Sequence, residues 1–198
     1  GRFVFQDRFD EDDFDTAYRE LERRYLAAEG AAFATTGWTL VTFLEAMNVL
    51  DVEATRRVCQ PTCRWLSPPS TLTTQERSLD EFFRWLDERA RQVSSVNNFF
   101  SAIHWVSPTC YVGRGDVLAV GVDGEEYTWT RIYVGEFSNG LMSSVHQFES
   151  DEHAAFAYAE ETMRATASRL AVSNRASDAA QRVNSALSAG DVEALLSC

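Results

Sequence analysis

The stretch from Glu125 to Phe148 constrains this chain most. EEYTWTRIYVGEF and LMSSVHQFE flank the tripeptide SNG, which predicts two long strands joined by a tight turn. Tyr127, Trp129, Arg131 and Tyr133 fall on one face of the first strand, and Thr128, Thr130, Ile132 and Val134 on the other. Asn139-Gly140 supplies the positive-φ residues of a two-residue hairpin. Three large aromatics and an arginine on one face are odd for a core and suggest the wall of a pocket. A chain holding such a ribbon must close it with other elements, since a lone hairpin is at best marginally stable.

The elements that could do so precede it. Trp38–Leu50 carries apolar residues at helical spacing, and Asp51 is placed to cap a second short helix reaching about Val58. Cys63–Leu66 reads as a short strand ended by Pro68-Pro69. Ser78-Leu-Asp-Glu81 opens a third helix with a capping box. Strands then dominate: Phe99–Val106, Cys110–Val112 with Val117–Val122, Glu125–Phe137 and Leu141–Phe148, with Asp123-Gly124 as a further hairpin turn. The order predicts an α+β cone, in which helices pack on one strongly curved, mostly antiparallel sheet. At the N-terminus, residues 2–6 suit a short strand, and the acidic run at residues 10–13 favours the start of a helix carrying Tyr18, Leu21 and Tyr25.

Charge narrows the partners. The net charge is −12, and all 18 basic residues are arginine, so the field disfavours a phosphate backbone and no nucleic-acid partner is expected. No run approaches the 18 apolar residues of a membrane span and there is no secretory pattern. The expectation is a cytoplasmic protein without a membrane partner. Cys59-Gln-Pro-Thr-Cys63 is a lone C-x3-C pair with no histidine nearby, so buried free thiols are expected, with no metal. There is no phosphate-binding loop, and no cofactor is expected.

Part of the order repeats. Asp51-Val-Glu-Ala54 recurs as Asp191-Val-Glu-Ala194, an offset of 140 at which Ala17-Tyr18 also matches Ala157-Tyr158. The expected organisation is therefore a tail strand and linker helix of a preceding unit (1–33), a complete domain (34–150), a linker helix (151–176) and the first helices of a following unit (177–198). The chain reads as a piece of a longer tandem protein.

Helix-helix-strand-helix followed by long hairpins, ending in SNGLMSSVHQFE, resembles the nuclear transport factor two-like superfamily, and within it the SnoaL-like branch. Leu50-Asp51 and Gly190-Asp191 open segments similar to that family's G-D-x-[E/D]-A turn. The flanking segments look similar to linkers of actinobacterial multidomain regulators that carry tandem SnoaL-like copies. The resemblance implies either an enzyme (isomerase, cyclase or dehydratase) or a non-catalytic domain for binding or association. The enzymes use a pocket carboxylate or histidine as base, with a tyrosine or second acid polarising an oxygen. It also implies that Met142, Ser144, His146 and Phe148 of the last strand face the cone, and that the sheet's outer face, with Thr128, Thr130, Ile132 and Val134, can form a homodimer.

Strand parity, with Trp38 added from the preceding helix, then gives the candidate pocket: Trp38, Phe100, His104, Tyr127, Trp129, Arg131, Tyr133, Met142, His146 and Phe148. On the Phe99 strand either Phe100, Ala102 and His104 or Phe99, Ser101, Ile103 and Trp105 face inward. Arg131, if buried, needs Glu126, Glu136 or a ligand anion as partner. No Asp or Glu falls in the middle of an inward strand face, so a carboxylate base has no holder. The expectation is a non-catalytic module for binding or oligomerisation within a regulator, with a small hydrophobic or acidic ligand. The alternative is an isomerase, cyclase or dehydratase acting on a hydrophobic substrate, with His146 as general base and Tyr127 or Arg131 as oxyanion partner.

Overall fold

The structure is a computed structural model that describes residues 10, 13–67 and 75–170. The chain divides into two units, Gly1–Ala159 and Glu160–Cys198. In the first, helices α1 (Phe14–Ala27), α2 (Ala34–Asn48), α3 (Val52–Arg57) and α4 (Leu79–Ala90) pack with a six-stranded sheet. Its strands are β1 (Cys59–Ser67), β2 (Gln75–Ser78), β3 (Val93–Ser107), β4 (Cys110–Gly121), β5 (Glu126–Ser138) and β6 (Leu141–Phe148), in the order β2-β1-β6-β5-β4-β3. Among the described residues only β1 with β6 is parallel. This is the expected α+β cone. Helix α5 (Glu152–Leu170) runs from the first unit into the second, and 160–170 is all that is described of the latter. The expected strand at residues 2–6, Pro68-Pro69 and the segment from 177 lie outside the described residues.

Local signals act where the sequence puts them. Asp51 accepts from the Ala54 amide at 2.9 Å, and Ser78 with Glu81 forms the full capping box of α4. Asn139 and Gly140 both have positive φ, 53° and 76°, as a two-residue hairpin requires. Leu50 also has positive φ, 54°, at the site where the resembling turn has glycine. Asp13, by contrast, precedes α1 without a side-chain cap bond.

Two β-bulges reset which side chains face the core. Glu136 pairs with Ser144 but Phe137 with Met142, leaving Ser143 unmatched on β6. Met142 before that bulge and Val145 after it are both fully buried in the core. On β3, Phe100 pairs with Gly115 and Ala102 with Arg114, leaving Ser101 unmatched. Phe100 therefore faces inward on one side of the bulge and Ile103 and Trp105 on the other. The core joins these to Phe43 and Met47 of α2, Phe82 and Leu86 of α4, and Tyr111 and Phe137 of the sheet.

β3 is an edge strand, and two helices close its open edge. The Tyr18 hydroxyl of α1 bonds both the amide and the carbonyl of Phe100, each at 3.2 Å. Asn48 of α2 does the same for Asn98, accepting from its amide at 2.6 Å and donating to its carbonyl at 3.1 Å. Helix α1, expected to belong with a preceding unit, packs here within the same unit as the sheet. The outer face is covered in part by the first half of α5: Ala155 and Ala159 are fully buried, Phe156 meets His104 at 5.2 Å and Tyr158 meets His146 at 4.4 Å. Of the expected outer-face set, Ile132 and Val134 are buried within the chain and Thr128 is exposed.

Candidate functional site

Between the helices and the inner face of the sheet lies a cavity of about 260 Å3. Its walls come from every layer: Phe43 and Met47 of α2, Trp65 of β1, Trp85 and Arg89 of α4, Phe100 of β3, Val117 of β4, Trp129, Arg131 and Tyr133 of β5, and Val145 and Gln147 of β6. Alternation puts Trp129, Arg131 and Tyr133 opposite Val117, Gly115 and Gly113 of β4, so one face of β5 supplies a full side of the hollow. A second hollow, of about 290 Å3, lies between Arg56 and Asp80; it has no aromatic lining and an ion pair of 3.1 Å bridges it.

Phe100, Trp129, Arg131 and Tyr133 of the expected pocket thus come together. The other six residues lie elsewhere. Trp38 is 44% exposed on α2, and Tyr127, 43% exposed at the start of β5, donates to Glu125 at 3.1 Å. Met142 is buried in the core without lining this cavity. His104 follows the β3 bulge and lies outward against Phe156. His146 and Phe148 follow the β6 bulge and also turn outward, where both rings meet Tyr158 of α5. Parity carried straight through Ser143 gives the opposite face; the unmatched residue flips it. Val145 and Gln147 take the inward positions instead. Arg77, Arg89, Trp65 and Trp85 were missed because they come from the opposing helix and the far strand pair. One signal was available: Arg89 lies four residues after Trp85, hence on the same helical face.

The electrostatics of the hollow are one-sided. Arg89 sits over Trp85 at 5.0 Å and over Trp129 at 5.1 Å, and burial pulls its guanidinium below the usual arginine range. Arg131 donates to the Thr130 carbonyl at 3.0 Å. Arg77 donates to the Ser67 hydroxyl at 3.1 Å beside Trp85. Burial pushes Tyr133 up to about 12, with Arg131 and Arg89 pulling the other way, so its phenol stays protonated between two guanidiniums. Asp116 borders the cavity, yet its position on β4 alternates with the inward Gly115 and Val117, and its carboxylate accepts from Thr130 across the outer face. Burial raises Asp116, but hydroxyls of Ser101 and Thr130 and the charge of Arg114 more than offset this and hold it below the usual carboxylate range. Glu136 accepts from Ser144 at 2.7 Å. Neither Glu126 nor Glu136 pairs with Arg131 among the described residues.

Outside the cavity, His146 has a buried Nδ1 with no hydrogen-bond partner among the described residues, and burial lowers its pKa. Cys59, Cys63 and Cys110 are buried free thiols. The described residues hold no group of three metal-ligating side chains, and none of their helices is long and apolar enough to cross a membrane.

An NTF2-like protein of unknown function from Burkholderia pseudomallei superposes with a TM-score of 0.50 at 16% identity, over 61% of this chain and 94% of that one. The fold is NTF2-like. AclR from Streptomyces galilaeus, a proposed hydroxylase, superposes at 0.51 with 13% identity, over 59% of this chain and 79% of its own. TerC, co-crystallised with polyporic acid, superposes at 0.50 with 11% identity, over 64% and 98%. NTF2-like neighbours thus include a proposed enzyme as well as proteins of unknown function. No family model and no curated protein matches the sequence.

Proposed function

We propose that this chain is a non-catalytic, SnoaL-like small-molecule-binding domain of a larger regulatory protein. The cavity carries the reading. At about 260 Å3 it suits a ligand of one or two rings, and its walls are aromatic on both the helical and the sheet side. The groups around it are poor bases near neutrality: arginines, two raised tyrosines, and an Asp116 whose carboxylate is engaged on the far face. His146, the base of the catalytic alternative, is separated from the hollow by the sheet itself. TerC, with the same fold, was co-crystallised with a small organic molecule, which is in keeping with this use of the scaffold. The Asp51–Ala54 motif recurring at an offset of 140 supports one unit of a tandem series.

The test is calorimetric titration with 2-naphthamide, a neutral two-ring probe, into the wild type and into Gln147→Phe, which fills the inner end of β6. Saturable binding that weakens at least tenfold in a variant of unchanged melting temperature is the expected result. Absence of binding by both 2-naphthamide and its carboxylate counterpart 2-naphthoate at millimolar concentration, or equal binding to both proteins, overturns the reading.

A further inference from the structure

The chain carries 30 acidic residues against 18 arginines, yet three of those arginines line one hollow and no carboxylate among the described residues points into it. Arg89 and Arg131 are both half-buried and have no carboxylate within ion-pair distance among the described residues. A guanidinium has five donors, and Arg131 spends one on its own strand's carbonyl. Arg89 is held between two indoles, so it keeps its place in the wall without an acidic neighbour. Charge left partly desolvated and unpaired is costly, and it is tolerated where a partner arrives from outside.

We propose that the cavity selects an aromatic monoanion, a planar ring system bearing one carboxylate or comparable acid group. The acid lies against Arg89 and Arg131, and the ring lies among Phe43, Met47, Phe100 and Val117. The inference rests on the binding reading above and adds the charge of the ligand. Charge-assisted hydrogen bonds to a guanidinium are among the strong ones, and a low-dielectric pocket strengthens them further. The protonated Tyr133 phenol beside both arginines adds a neutral donor to the same spot. Selectivity then comes from two sides: a neutral analogue leaves the guanidiniums unpaired, and a small inorganic anion leaves the aromatic walls unfilled.

The experiment compares 2-naphthoate with 2-naphthamide, which share a ring and differ in charge. Calorimetry is run on the wild type, Arg131→Met, Arg131→Gln, and Arg91→Met as a surface control, with melting temperatures confirming the fold. Wild type is expected to bind the naphthoate at least tenfold more tightly than the amide. Both Arg131 variants are expected to lose that margin while holding the amide within about twofold, and the control to change neither. Raising the salt should weaken the naphthoate alone. Equal affinity of the two probes for wild type, or equal weakening of both in the Arg131 variants, overturns the anion inference and leaves the binding reading standing. If neither probe binds the wild type, both fall.

Discussion

Replacing Tyr18 with Phe removes one oxygen and nothing else, and that oxygen closes the open edge of β3. It accepts from the Phe100 amide and donates to the Phe100 carbonyl, each at 3.2 Å and partly buried. Glu22, one turn further along α1, stands beside the same phenol, and burial with that neighbour raises the Tyr18 pKa far above the working range. Each bond is worth about 0.5–1.5 kcal/mol net, and Phe cannot replace either, so the loss comes to about 1–3 kcal/mol. For a unit of this size 1 kcal/mol moves the melting temperature by about 2–4 °C, giving a drop of roughly 2–12 °C. Differential scanning calorimetry reads the drop, and amide exchange at Phe100 should quicken with it. Tyr25→Phe on the same helix, whose hydroxyl makes no such bond, should change little. Asn48→Ala breaks the matching pair at Asn98 and should cost at least as much. If Tyr18→Phe melts within 1 °C of wild type with unaltered exchange at Phe100, α1 is not closing this edge, and its place in the unit is wrong.

Two further substitutions test the packing and the charge. Gly135→Ala would drive a methyl into the ring of Tyr111, which is 1% exposed and hemmed in by Phe100, Trp105 and Phe137, so a loss of about 1–3 kcal/mol or more is expected. A denaturation midpoint equal to wild type would refute that fit. Burial raises the pKa of Glu22, with the neighbouring Tyr18 hydroxyl pulling the other way. A carboxylate raised on folding favours the native state only at low pH and loses that contribution as pH rises through the folded value. Glu22→Gln should therefore melt higher than wild type at pH 7, with the gain vanishing on acidification below the carboxylate range; a gain that is constant across pH would refute the linkage.

Much of this architecture is written locally. Caps at Asp51 and Ser78, the Asn139-Gly140 turn and the alternation of β5 are short-range signals, and each sits where its residues place it. The face of β5 with Trp129, Arg131 and Tyr133 was legible for the same reason. The face of β6 was not. Ser143 has no feature that marks it as an unmatched residue, because a bulge depends on the partner strand's length and curvature as well as on the residue itself. One such residue exchanged His146 and Phe148 for Val145 and Gln147 in the cavity wall. Arg89 and Arg77 were hidden differently: an arginine on a helix or short strand reads as solvent-facing until the opposite layer is known. The outer-face cover by Ala155 and Ala159 was equally silent, since small residues at helical spacing do not announce what they meet.

The location of the cavity follows from an exchange of ring for glycine. Side chains at Gly113, Gly115 and Gly135 would collide with Phe100, Tyr133 and Tyr111 respectively. These three inward positions of β4 and β5 are therefore surrendered to rings from neighbouring strands, and Phe100 meets both Tyr111 and Tyr133 edge-on at 5.5 and 6.1 Å. The rings lean over the glycines and fill the end of the cone between Tyr111 and Phe137. Toward the other end of β5 the pattern changes: Arg131 faces Gly115, and Trp129 faces Val117, a modest side chain. Nothing large leans across from β4 there, and the opposing helix offers a stacked guanidinium instead of an aliphatic knob. The hollow lies where this aromatic fill runs out, which is why rings dominate its walls and three arginines stand in its lining.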